Sequence, residues 1–146
     1  MADASGGCPG LVRLEVADPQ RRGPQALLGI VGRVEVHGDD GRLVTLRDIP
    51  IIELAKQLDR WLIGITPDGP DFVYTSLGDP DVPGLVYFYR APPCWRVGSV
   101  RAEEDREVVT SLRGVAAAAG DFVADVDRLV RPLGVDLPRF LRERSP

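Results

Sequence analysis

Apolar and charged residues alternate along residues 11–16, where Leu14 and Val16 flank Glu15. A period of two sends successive side chains to opposite faces of an extended strand, so this stretch predicts a half-buried strand ending near Asp18-Pro19. After a turn at Arg21-Arg22-Gly23-Pro24, residues 26–36 read as a longer strand in which Val34 and Val36 alternate with Arg33 and Glu35. His37-Gly38-Asp39-Asp40-Gly41 reads as a hairpin loop, with residues 42–47 returning antiparallel.

The period then changes. Ile51, Leu54, Ala55, Leu58, Trp61 and Leu62 fall at steps of three and four, which predicts a helix with one apolar stripe. Asp48-Ile49-Pro50 marks its start, with Asp48 the expected cap, and Gly64 and Pro67 mark its end. Glu53, Lys56, Gln57 and Arg60 take the opposite, polar face, with Glu53 and Lys56 one turn apart. Beyond the turn residues Thr66 to Pro70, the pattern predicts a meander of strands over 72–75, 85–90 and 94–101. From Leu112, the spacing of Val115, Ala119, Phe122, Val126, Leu129 and Leu133 predicts a long amphipathic helix. Thr110 or Ser111 caps it and Pro132 with Gly134 stops it; Asp136 opens a final short helix over 137–142.

These elements define an α+β class: a single domain over residues 11–146, with a mostly antiparallel sheet of about six strands packed against two main helices. Residues 1–10, small and glycine-rich, read as a flexible leader. The meander leaves one question open. Tyr74, Tyr87, Tyr89 and Trp95 are either core or an exposed aromatic surface, and the second would favour binding.

Composition narrows the function. The chain carries 18 basic and 22 acidic residues for a net charge of -4, and 44% of its 146 residues are hydrophobic, which fits a folded domain and argues against a nucleic-acid partner. No apolar run reaches membrane-spanning length, and the start lacks the pattern of a signal peptide, so a cytoplasmic location is expected. Lys56 is the sole lysine and asparagine is absent, the imprint of a GC-rich coding sequence. Lack of asparagine also excludes N-glycosylation and a Cys-His-Asn set.

Searches for chemistry return little. His37, the only histidine, lies beside Asp39 and Asp40 and reads as a solvated turn residue rather than a general base. Ser99 and Ser111 have no histidine near them in sequence. Cys8 and Cys94 lack metal-ligand spacing; Cys94 reads as a buried cysteine, and a disulfide would require an oxidising compartment. Gly29 and Gly32 do not complete a phosphate-binding loop, and no Gly-Lys-Ser/Thr occurs. The pairs Asp68/Asp71 and Asp79/Asp81 fit either cation or acid–base work, or simple turn hydrogen bonding. The chain is therefore read as non-catalytic, with no metal or cofactor assigned.

One resemblance bears on function. The run Ile52-Glu53-Leu54 through Leu58 to Trp61-Leu62, then Asp71-Phe72-Val73-Tyr74, Gly84-Leu85 to Phe88, Cys94-Trp95-Arg96-Val97-Gly98-Ser99 and a final amphipathic helix, over residues 48–130, resembles small bacterial proteins of which some are immunity-like, and in size, acidity and α+β organisation the chain resembles the immunity proteins of polymorphic toxin systems. The resemblance implies an inhibitor that binds a basic toxin domain, and it carries no functional residue across. The acidic positions Asp68, Asp71, Asp79, Asp81, Glu103, Glu104 and Asp105 are the candidate partner-binding residues, because such charges steer a basic partner. The alternatives are a small-ligand protein or enzyme, with a pocket between sheet and helices that draws on Asp68, Asp71, Asp79 or His37, and a homo-oligomer joined through an apolar sheet face.

Overall fold

The computed structural model describes residues 7–39, 41–103 and 106–142. Strands β1 (Arg13–Arg21), β2 (Ile30–Gly38) and β3 (Gly41–Pro50) pair antiparallel in chain order. β1 runs through Asp18-Pro19 instead of ending there. The register shifts between Ala17 and Gln20, and Asp18 adopts φ 55°, so the bulge accepts a proline that has no N–H to donate.

Residues 26–29, expected as strand, form the helical turn α1 (Ala26–Gly29). Gly29 donates its N–H to the Gln25 carbonyl at 2.7 Å, and the Gly29 carbonyl accepts from Arg22 at 2.6 Å. A Cβ at Gly29 would lie 2.6 Å from the Gly23 oxygen, so this crossing of chains requires glycine. The β2–β3 turn is tighter than expected: Gly38 pairs with Gly41, and His37 sits within β2 opposite Arg13 and Arg42.

Helix α2 (Ile51–Ile63) matches the apolar spacing, but Asp48 is not its cap. β3 continues to Pro50, and Asp48, at φ 57°, turns its carboxylate to Arg22 at 2.8 Å. Strands β4 (Phe72–Val73), β5 (Tyr87–Ala91), β6 (Cys94–Gly98) and β7 (Glu107–Thr110) form a second antiparallel sheet in chain order. The expected single sheet of about six strands is thus two sheets, of three and four strands. β6 stops at Gly98 because Ser99 begins a turn in which its carbonyl and Oγ accept from Ala102 and Arg101, each at 3.0 Å.

Helix α3 (Leu112–Val130) is capped by Ser111, whose Oγ accepts the Gly114 N–H at 3.0 Å. It ends in a 3-10 turn over Arg131–Leu133 and a left-handed Gly134, followed by α4 (Leu137–Arg142). Both sheets close on one core. Ile51, Ile52, Leu54, Ala55 and Leu58 of α2 are fully buried, joining Val34 and Val36 of β2 to Val115, Phe122 and Val126 of α3. Trp61 reaches the other sheet, with ring centroids 5.2 Å from Phe88, 5.7 Å from Trp95 and 6.0 Å from Phe72. A helix buried on several sides needs walls on several sides, and the split into two sheets supplies them.

Cys8 and Cys94 form a disulfide with Cα atoms 5.6 Å apart. Beside it, Pro9 bridges Thr110 and the Gly10 N–H donates to the Val109 carbonyl at 3.1 Å, so residues 9–10 lie along the outer edge of β7.

Candidate functional site

The register of the four-stranded sheet sorts its side chains into two faces. Phe72, Phe88, Val97 and Val108 align across the strands and point into the core, with Trp95 on the same side. The opposite face carries Val73, Tyr87, Gly98 and Glu107 in one row and Tyr89, Arg96 and Val109 in the next. This answers the question posed by the aromatic residues: Tyr74 and Trp95 are core, whereas Tyr87 and Tyr89 turn to the outer face, where Tyr87 is buried and Tyr89 half-buried.

The two outer tyrosines stack, with centroids 4.2 Å apart and planes inclined by 15°. Gly98 makes this possible, because a Cβ there would come within 2.6 Å of the Tyr87 hydroxyl. The Tyr87 ring lies across β6 and donates its hydroxyl to Glu107 at 2.5 Å, while the Arg96 guanidinium stands 5.7 Å from the Tyr89 centroid and 3.4 Å from Glu107. Burial and the Glu107 carboxylate both push the Tyr87 hydroxyl well above its ordinary range, so it is a neutral donor. Among the described residues no helix covers this face: Val73 is 40% exposed, Val109 45%, and Arg96 also lies open.

The acidic candidates fall at the two ends of this sheet. Asp68 and Asp71 precede β4. Asp71 accepts the Arg90 N–H at 2.7 Å, closing the β4–β5 edge, and Asp68 lies exposed beside a cleft lined by Arg90, Pro92, Trp95 and Arg113. Asp79, Asp81 and Glu103 occupy the two loops at the other end, which are joined by the Val100 N–H to Gly84 carbonyl bond at 2.9 Å, with Asp79 4.0 Å from Arg101. The five residues of β5, at roughly 3.3 Å each, separate the groups. Glu104 and Asp105 lie outside the described residues, as does Asp40.

Two positions depart from the sequence reading. Glu53, expected on the polar face beside Lys56, is 3% exposed and accepts from the Tyr74 hydroxyl at 2.7 Å and the Leu77 N–H at 2.9 Å. It anchors the chain that leaves β4 for the Asp79 loop. Burial, then the Glu53 hydrogen bond and charge, raises the Tyr74 hydroxyl far above its ordinary range, and that keeps it a donor. The linear signal for Glu53 was absent, because its partners come from a loop more than twenty residues on. His37, expected beside Asp39 and Asp40, instead places Nε2 3.2 Å from Glu35 and 3.4 Å from Glu15 on the outer face of the three-stranded sheet. Asp39 accepts the Leu11 N–H at 2.7 Å.

The fold and this face define an α+β domain with a sheet surface, free of helices among the described residues, that exposes Val73, Val109 and Arg96 around a tyrosine stack between acidic loops. Residues 14–131 match the family described as a domain of unknown function (DUF7878), and the chain belongs to that family. No curated protein and no solved structure matches it. Among the described residues, no helix is long and apolar enough to cross a membrane.

Proposed function

We propose that this chain is a non-catalytic protein-interaction module, an immunity-type inhibitor that docks on a basic bacterial toxin domain through the outer face of the four-stranded sheet. The observation that carries the reading is the exposed Val73, Val109 and Arg96 around the half-buried Tyr89, whose ring stacks on the buried Tyr87. Exposed apolar area beside tyrosine and arginine is the composition that anchors interfaces, since these side chains bury large surfaces at low entropic cost. Asp68 and Asp71 at one end, with Asp79, Asp81 and Glu103 at the other, form an acidic rim that speeds the approach of a basic partner. The net charge of -4 acts in the same direction.

The test uses the tagged protein as bait in cells of the source organism, followed by kinetics with the captured partner. One stoichiometric basic partner is expected, with association that slows as salt rises and slows further when Asp79 and Asp81 are both changed to lysine. Tyr89→Asp together with Val109→Asp should abolish capture while leaving the circular dichroism of the domain unchanged. Capture indifferent to that double substitution, or association indifferent to salt, overturns the reading. The proposed compartment is the cytoplasm, where disulfides seldom persist. Thiol trapping at lysis weighs that compartment against the Cys8–Cys94 disulfide of the structure: a reduced pair supports the cytoplasm, and a fully linked pair places the protein in an oxidising compartment.

A second reading rests on the cleft of about 530 Å³ between β3 and the Ser76–Asp79 loop, walled by Leu28, Leu46 and Leu85 and edged by Arg47 and Arg101. That volume suits a small ligand. A metabolite that raises the melting temperature, and loses the effect in Leu85→Trp, would favour it.

A further inference from the structure

We infer that Glu15, Glu35 and His37, on the outer face of the three-stranded sheet, form a binding site for one divalent transition-metal ion of the zinc type. Their ligand atoms all lie within 4.8 Å of one another. His37 Nε2 stands 3.2 Å from Glu35 Oε1 and 3.4 Å from Glu15 Oε2. Donors about 2.1 Å from a tetrahedral ion are separated by about 3.4 Å, and both spacings from His37 match that edge. An imidazole N–H points along one direction and serves one carboxylate well, whereas an ion at the centre serves both.

Strand pairing holds the corners in place. Glu15 and Glu35 are direct cross-strand partners on β1 and β2, a like-charge pairing that Arg13, Arg33 and Arg42 offset from the sides and an ion between the carboxylates would offset directly. Glu35 and His37 are two residues apart on one strand and share its outer face. The surroundings divide the work between the carboxylate oxygens. Glu35 Oε2 accepts from Thr45 Oγ1 at 3.2 Å and from Arg42 at 3.4 Å, with Arg33 Nε at 3.7 Å, which leaves Oε1 facing His37. Arg33 is itself paired with Asp18 at 2.7 Å. Arg13 bonds Glu15 Oε2 at 2.6 Å, and each carboxylate oxygen has a second lone pair for an ion. Hydrogen-bonded ligands of this kind are the usual outer shell of a metal site. The His37 and Glu15 side chains are 25% and 41% exposed, so solvent reaches the centre and completes the coordination.

The donor set selects the metal. One imidazole nitrogen and two carboxylates suit zinc and its neighbours, while magnesium prefers an all-oxygen shell. The experiment is isothermal titration of the untagged, full-length protein with zinc and with magnesium, together with NMR of its single imidazole. A stoichiometry of one zinc per chain, no magnesium heat under the same conditions, and a zinc-dependent shift of the His37 Nε2 resonance are expected. His37→Ala should abolish saturable zinc binding, and Thr45→Val, which touches only the outer oxygen of Glu35, should weaken it by about 10-fold. Absence of zinc binding, equal binding of magnesium, an unshifted Nε2, or zinc binding that survives His37→Ala overturns the site.

Discussion

The outer faces of the two sheets are built on the same core and dressed in opposite ways. Both sheets turn valine, leucine and aromatic side chains inward against α2 and α3. Outward, the three-stranded sheet presents Arg13, Glu15, Arg33, Glu35, His37 and Thr45, and the four-stranded sheet presents Val73, Tyr87, Tyr89, Arg96, Glu107 and Val109. The charged face satisfies itself through ion pairs within and between strands, leaving little surface whose burial would be rewarded. The aromatic face keeps apolar area in contact with water, and a partner that removes it from water gains free energy. Alternation in a sheet thus decides what is buried within the chain, while the residue types on the other face decide whether a macromolecule or an ion is the natural visitor.

The comparison is broken most completely at Trp61, where α2, part of the core common to both sheets, meets the four-stranded one. Trp61 touches Phe72, Phe88 and Trp95 and donates its indole N–H to the Pro70 carbonyl at 2.9 Å. Trp61→Ala is expected to cost about 3–5 kcal/mol, because an aromatic cavity in a packed core collapses only in part. Urea denaturation with tyrosine fluorescence and far-ultraviolet dichroism should show one coincident transition at lower midpoint. Two separate transitions would mean that the sheets fold as independent units.

A smaller cost sharpens the distinction between the ends of the aromatic face. Glu53→Ala leaves the buried Tyr74 hydroxyl and the Leu77 N–H without their acceptor, at about 2–3 kcal/mol together. The double variant with Tyr74→Phe should recover part of that loss, since it removes one of the two stranded donors. Equal stability of the single and double variants would show that Tyr74 finds another acceptor.

The two faces were unequally legible in the chain. The helices at 51–63 and 112–130 stood out because their apolar spacing extends over three or more turns. Alternation in a strand over 85–90 puts Tyr87 and Tyr89 on one face, and the structure keeps them together. The charged cluster was not legible. Glu35 and His37 share a face in any strand, yet Glu15 joins them only through the β1–β2 register, which depends on the turn at Gly38–Gly41. Reading that turn as a five-residue loop beginning at His37 placed the imidazole beside the wrong carboxylates. β7 was missed because four residues of alternation follow an acidic run and give too short a period to stand out. The division into two sheets has no local signal, since it follows from how many sides of α2 are buried.

On the aromatic face, Tyr87→Phe removes the hydroxyl that Glu107 accepts and keeps the ring that stacks on Tyr89. The loss should be about 1–2 kcal/mol, that of one hydrogen bond from a buried phenol to a charged acceptor. Because the folded protein favours the neutral phenol, the stabilisation from Tyr87 is complete below the ordinary value of 10.0 and fades as pH rises above it. Wild type and Tyr87→Phe should therefore converge in melting temperature under strongly alkaline conditions.

The charged face supplies the mirror-image experiment at the opposite end of the pH scale, with the smallest effect. Burial pushes the Glu35 carboxyl up, but hydrogen bonds from His37, Thr45 and Arg42 and the charge of Arg33 outweigh it, and the net shift is downward from 4.5. A carboxyl with a depressed folded value stabilises the fold above its unfolded value and loses that contribution as pH falls through the folded one. Glu35→Gln should therefore cost no more than about 1 kcal/mol at neutral pH, since its arginine partners reach it from water-exposed positions. The difference in melting temperature from wild type should shrink steadily once the pH drops below 4.5. A gap that stayed constant down to pH values where every carboxylate is protonated would assign Glu35 a packing role. The ion pairs of this sheet would then be a consequence of its register and no longer a source of its stability.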